Sequence, residues 1–266
     1  LARNSSQHGI WFQGNSYGTV TDCIISNNWG FGFYIGSYNS NIAAVNNTIY
    51  GNGDGFRITN SVECFLRNNI MYDNVDNFKV GGETIEKYRH DINTSNIVDG
   101  KPIYYLVGAD GYVLEGAVNI GYIAFISSTN VTLRNLDLHG ISVMLADTTN
   151  STIENVNFSN NHLYLWGSSY NNITNCVFYN IFATALFLSW SDNNTIAGCD
   201  IHHNTQLWCG RTLHLYESEN NLIINCDIND NGGENTVAFR YSPHNQVINC
   251  NIYNNTGGGF VLSYSS

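Results

Sequence analysis

Two aspartates raise the first chemical question. Asp200 and Asp227 hold the same place in a recurring phrase, Gly198-Cys199-Asp200-Ile201-His202-His203-Asn204 and Asn225-Cys226-Asp227-Ile228-Asn229-Asp230-Asn231. If these phrases stack as neighbouring strands, the carboxylates lie about 5 Å apart. Like charges that close push one pKa up, and the spacing suits the acid and nucleophile of a retaining glycosidase. His202, on the same face two residues after Asp200, is placed to carry a proton. The same two carboxylates could instead hold Ca²⁺ as hard oxygen donors, or simply stand in water on a polar face.

A second group recurs at another phase. Trp11, Tyr34, Arg57, Met144, Tyr164, Phe187 and His214 fall in the middle of short apolar strands, with Trp166, Trp190, Trp208 and Tyr216 close by. A row of exposed aromatics is unusual on a monomer. Stacking on sugar rings, burial beneath another part of this chain, or contact with a neighbouring copy or surface protein would each account for it. The binding set is therefore Trp11, Tyr34, Tyr164, Trp166, Phe187, His214 and Tyr216. Arg57, Arg211 and Arg240 would suit an acidic sugar.

The elements that must position these side chains follow from the repeat. Anchors stand at Cys23, Asn47, Asn68, Leu136, Val156, Cys176, Cys199, Cys226 and Cys250, 20 to 27 residues apart except across one interruption. Two residues after them stand Ile25, Ile49, Ile70, Leu138, Phe158, Phe178, Ile201, Ile228 and Ile252. Three before them stand Val20, Ala44, Phe65, Leu133, Ile153, Ile173, Ile196, Ile223 and Val247. About a dozen before runs a third short strand, such as Leu163-Tyr164-Leu165. Apolar residues at period 2 in short runs, bounded by turn residues, are strands. Self-similarity at this period means stacked coils. Three strands per coil and no helical period predict an all-β, right-handed, single-stranded parallel β-helix of nine or ten coils.

Asn recurs five residues after the anchor, at Asn28, Asn52, Asn161, Asn204, Asn231 and Asn255, and five before it, at Asn171, Asn194, Asn221 and Asn245. Asn tolerates the left-handed backbone of sharp corners, and its amide can bond the Asn above and below. These are expected to be corner ladders. Cys176, Cys199, Cys226 and Cys250 share one inward position and read as a column of small buried hydrophobes. Cys209 is the expected exposed thiol, and Cys64 lies near an inward slot.

Charged residues are 12% of the chain, three are lysines, and the net charge is -11. Phosphate recognition needs clustered Lys and Arg, so nucleic acid is not an expected partner. No apolar stretch is long enough to span a bilayer, so direct membrane insertion is not expected. Asn-x-Ser/Thr sequons fall at Asn4, Asn46, Asn93, Asn130, Asn150, Asn157, Asn172, Asn193 and Asn254. With abundant Tyr, Ser and Thr and little Lys, they point to an extracellular, cell-surface or periplasmic setting. Leu1 opens inside a coil and Ser266 closes inside one. Solenoids need capping ends, so a piece of a longer chain is expected.

The repeat breaks between about 75 and 121, a stretch holding all three lysines. Asp99-Gly100 reads as a turn and Ile103–Val107 as a strand, and the stretch is expected to leave the single solenoid domain, pack over one face and rejoin it. The segment Asp91 to Gly108 resembles the insert of NosD-like β-helix proteins, also grouped as carbohydrate-binding and sugar-hydrolysis domains. That resemblance implies a right-handed parallel β-helix of bacterial or archaeal surface-protein type. Its namesake implies a role in maturing a copper enzyme, nitrous oxide reductase. His139, His202 and His214 do not converge at strand spacing, and Met71 and Met144 stand apart, so the residues supply no copper site.

Three functions follow. The first is a non-catalytic surface module that binds glycans or packs against like chains. The second is a polysaccharide lyase or glycoside hydrolase using Asp200, Asp227 and His202. The third is a copper-maturation factor of the NosD kind. No cofactor is expected, and Ca²⁺ at Asp200 and Asp227 is the ion the residues could take.

Overall fold

In the computed structural model, residues 1–266 are described except 15, 117, 118, 206–209 and 266. Trp208 and Cys209 therefore lie outside the described residues. The chain is an all-β parallel solenoid of about 11 turns. It forms two compact units, 1–107 with 119–126, and 108–118 with 127–266.

The first unit stacks three strands per coil. One parallel sheet holds Ile10–Phe12, Phe31–Ile35, Asp54–Thr59 and Asp76–Gly81. A second holds Ser16–Thr21, Ser40–Val45, Phe65–Arg67 and Asp91–Ile92. The third runs from Ala2–Arg3 through Ile24–Ser26, Thr48–Tyr50, Ile70–Tyr72 and Ile97–Val98. Inward residues such as Ile25, Phe33, Ile49, Phe56 and Leu66 are at most 1% exposed, and Phe33 and Phe56 stack at 4.5 Å.

The interruption is narrower than the sequence predicts. Asp76–Gly81, Asp91–Ile92 and Ile97–Val98 keep the parallel register of the preceding coil instead of leaving it to cover a face. The departures are a single turn of 3-10 helix at Ile85–Tyr88 and a hairpin after Val98. Asp99 and Gly100 both take positive φ, 48° and 76°, as a tight hairpin of this hand requires. Lys101–Val107 then runs antiparallel to Ile97–Val98 and parallel to Tyr122–Ile126.

One anchor is out by a residue. Asn69, not Asn68, accepts the Asn47 backbone N–H at 3.1 Å. Leu66 and Met71 are fully buried, whereas Phe65 and Ile70 are 39% and 45% exposed. Side chains alternate with period 2, so a slip of one residue exchanges the two faces. Phe65, turned outward, carries the Arg67 guanidinium at 4.2 Å from its ring centre.

The second unit uses the same plan. Thr132–His139 and Thr152–Ser159 are long strands that later coils divide in two, as in Asn172–Thr174 and Val177–Tyr179. Opposite them stack Val143–Ala146, Leu163–Trp166, Leu186–Ser189, Arg211–Tyr216, Asn235–Arg240 and Gly258–Ser263. Phe158 and Phe178 stack in the core at 4.7 Å with rings 2° from parallel. Cys176, Cys199 and Cys226 are buried, and every described cysteine is a free thiol. No helix among the described residues is long and apolar enough to cross a membrane.

The corners divide their work between two adjacent residues. The first takes positive φ and turns the chain, as do Asn193 (56°), Asn220 (55°) and His203 (53°). The second points inward and ties the coils. The Asn194 Oδ1 accepts the Asn171 backbone N–H at 2.9 Å and its side-chain N–H at 3.1 Å. The Asn194 Nδ2 donates to the Ser168 carbonyl at 3.0 Å and to Asn221 Oδ1 at 3.1 Å. All four bonding capacities of the amide are filled. Asn171, Asn194, Asn221 and Asn245 form one such ladder, Asn204, Asn231 and Asn255 a second, and Asn28, Asn52 and Asn74 a third. Asn161 is not in a ladder. Ile181 holds the equivalent place on the next coil and has no amide to accept its N–H, so Asn161 Nδ2 reaches only the Gly140 carbonyl at 3.4 Å.

Two stability predictions follow from the interior. Asn194→Ala orphans the Asn171 N–H and the Ser168 carbonyl and should lower stability by about 2–4 kcal/mol, against about 1 kcal/mol or less for Asn161→Ala, in urea titrations. Equal losses would contradict the ladder. His90 is 4% exposed, and its Nδ1 accepts the Cys64 N–H at 3.3 Å. Burial pushes its pKa down to about 4, with a Lys87 backbone hydrogen bond opposing in part. The unfolded imidazole binds a proton below about pH 6.5 while the buried one stays neutral, so stability is complete above that pH and falls as pH drops towards 4. His90→Asn keeps an acceptor but cannot titrate, so its urea midpoint should fall less between those pH values than that of the parent chain.

Candidate functional site

The Asp200–Asp227 pair forms as the repeat predicts: the two are register partners in the strands Asp200–His202 and Asp227–Asn229. Asp227 Oδ1 accepts the Asn251 side-chain N–H at 2.7 Å. Asp200 Oδ2 lies 3.8 Å from His202 Nε2, and the Asp200 side chain is 49% exposed. The His202 ring lies against Tyr179 at 5.8 Å, and its Nδ1 is 2.8 Å from that of His203. Among the described residues no three His, Cys, Asp or Glu side chains converge. An ion here would rest on the two carboxylates plus water or carbonyl oxygens. His139 bonds Ser159 and Asn160, and Met71 and Met144 are buried, so none of these three joins His202 and His203 in a copper ligand set.

The aromatic row divides into two kinds. In the first unit Trp11 is 49% exposed and nearly parallel to Tyr34, with ring centres 6.2 Å apart. Below them Arg57 is held by Asp54 at 3.0 Å and lies 5.3 Å from the Phe31 ring centre. In the second unit Tyr164, Phe187 and His214 are register partners. Their rings lie face to face, 5.1 Å and 4.7 Å apart and tilted by 14° and 2°. The structure corrects the expected exposure here. His214 is 8% and Met144 4% exposed, and Tyr164 and Phe187 are half-buried. In-register rings take the stacking of the strands, so their faces are spent on one another and only edges turn outward. Burial, Arg211 and Arg240 hold the His214 pKa down to about 4, and the neutral Nε2 faces the Arg211 Nη1 at 3.3 Å. This column packs ring on ring.

The neighbouring run is different. Trp166 and Trp190 meet at 71°, Trp190 and Tyr216 at 88°, and Tyr216 and Tyr241 at 90°, with ring centres 5.8 to 6.1 Å apart. In an edge-to-face pair only one ring spends its face, so the other keeps both clear of that contact. Trp190, Tyr216, Glu217, Glu219 and Tyr241 line an open groove of about 650 Å³. The Trp190 indole N–H donates to Glu217 Oε2 at 2.6 Å, which fixes the ring. The Arg240 guanidinium lies 5.9 Å from the Tyr216 ring centre and 5.3 Å from that of Tyr241.

Sequence reasoning named Trp166 and Tyr216 but did not place Trp190, Glu217, Glu219, Tyr241 and Tyr264 in a site. A signal was present. Trp190-Ser191, Glu217-Ser218, Tyr241-Ser242 and Tyr264-Ser265 recur at one corner. Each serine hydroxyl accepts the backbone N–H of the preceding coil's equivalent, at 2.9 to 3.1 Å. The residue before it takes positive φ and stands outward: Trp190 at 50°, Glu217 at 46°, Tyr241 at 51° and Tyr264 at 53°. Bulky side chains in that conformation are rare. All nine sequon asparagines are also exposed.

No curated protein matches the chain. Among solved structures it is similar to the A-module of the mannuronan C-5 epimerase AlgE6 of Azotobacter vinelandii, at 15% identity and a TM-score of 0.41, covering 94% of this chain and 65% of that one. The AlgE4 A-module of the same organism is 11% identical with a TM-score of 0.39, covering 98% of this chain and 78% of that one. The Streptococcus pneumoniae surface adhesin PfbA is 14% identical with a TM-score of 0.28, covering 98% of this chain and 76% of that one. The family model for the right-handed β-helix region matches residues 2–116, 116–207 and 140–266. Three strands per coil, corner ladders and this match agree: the chain belongs to the right-handed β-helix family.

Proposed function

We propose that the chain is an extracellular or cell-surface β-helix module that binds glycans along the Trp166–Tyr264 side of its second unit without cleaving them. The carrying observation is the groove of about 650 Å³ whose rings Trp190, Tyr216 and Tyr241 meet nearly at right angles. Exposed ring faces give a sugar an apolar platform at little entropic cost, and carboxylates beside them accept its hydroxyls. Coils rise by about 4.8 Å, close to one sugar unit, so successive corners meet successive sugars. The nine exposed sequons fit an extracellular setting.

Screening the purified chain on a glycan array with Ca²⁺ present, with product analysis of each ligand, tests this. Binding without cleavage is expected, weakened about tenfold or more by Trp190→Ala or Tyr241→Ala. Cleavage abolished by Asp200→Asn would replace the proposal with the polysaccharide-processing reading. Silence on every glycan would leave the ring-lined face as an assembly surface between copies.

A further inference from the structure

The groove carries a charge pattern that narrows its ligand. Two carboxylates, Glu217 and Glu219, line it together with the three rings. The Glu217 carboxylate spends one oxygen on the Trp190 indole, and Glu219 is exposed, with its backbone N–H donated to Asp192 Oδ1 at 2.7 Å. Of the arginines the sequence offered to acidic sugars, Arg57 is paired with Asp54 and Arg211 faces His214. Arg240 lies over Tyr216 and Tyr241, so these two ring faces already accept a cation. Ring faces are electron-rich and attract ammonium and guanidinium groups. Carboxylates beside those rings attract the same groups and repel uronates and sulfates.

We infer that this groove selects glycans bearing free amino groups, that is, deacetylated hexosamine polymers, and discriminates against acidic ones. The sugar ring would rest on Trp190 while its ammonium group meets Glu217 and Glu219. This inference rests on the glycan-binding reading above and adds the ligand's charge to it.

Calorimetric titrations of the whole chain with three oligomers of equal length separate the two. The probes are a glucosamine oligomer, an N-acetylglucosamine oligomer and an oligogalacturonate, below the amine pKa and at low and high salt. The glucosamine oligomer should bind about tenfold more tightly than its acetylated twin, with the oligogalacturonate weakest and the preference shrinking as salt rises. Glu217→Gln with Glu219→Gln should erase that preference, so that the two hexosamine oligomers bind within about threefold of each other, while the amide oxygen introduced by Glu217→Gln can still accept the indole N–H. Equal affinity for the acetylated and free amine forms, or tightest binding of oligogalacturonate, would overturn the inference and leave glycan binding standing. Binding of no oligomer, with the fold intact by circular dichroism, would overturn both.

Discussion

A single coil of this chain cannot bury its own inner face, and every other feature answers to that constraint. The coils must sit in register, and each corner must turn sharply without leaving a buried N–H unpaired. The chain meets both demands with neighbouring residues. One takes positive φ and faces out, and the next reaches in and accepts the backbone N–H of the coil before it, as at Asn193-Asn194 and Trp190-Ser191. Removing the inward member strands buried polar groups on two coils, which is why ladders run unbroken until an apolar residue such as Ile181 ends one.

The same device makes the proposed binding surface. In-register residues on a strand face stack on each other, so aromatic columns such as Tyr164-Phe187-His214 bury their faces and stiffen the sheet. At a corner the outward residue stands clear of the ladder, and its ring need not lie parallel to its neighbours. Trp190 and Tyr241 stand edge-to-face with the strand residue Tyr216, at 88° and 90°, while Tyr241 stacks on Tyr264 of the next corner at 8°. Rigidity comes from the serine ladder beneath and from the indole bond to Glu217, so little order remains to be imposed on binding.

Much of the fold was legible because period-2 patterning and a recurrent phrase report directly on strands and stacking. The limits were local. A coil with one residue more shifted the anchor from Asn68 to Asn69, and spacing alone cannot count that residue. The stretch 75–121 looked foreign in sequence because its phrase is lost, yet Asp76–Gly81 and Asp91–Ile92 keep the register through inward Phe78, Val80 and Ile92. For the site, sequence found which residues share a column. It could not find ring orientation, which decides between a structural stack and an open face, nor the corner φ angles that set Trp190 and Tyr241 outward.

The indole N–H resonances of the tryptophans report most directly on whether the corner groove is the binding surface. In a titration with a hexosamine oligomer followed by nitrogen-15 NMR, the Trp190 resonance should shift and saturate, because its N–H bridges to Glu217 inside the groove, while exposed Trp11 and Trp29 of the first unit stay fixed. A shift at Trp11 with Trp190 unmoved would contradict the account and move the binding surface to the other unit.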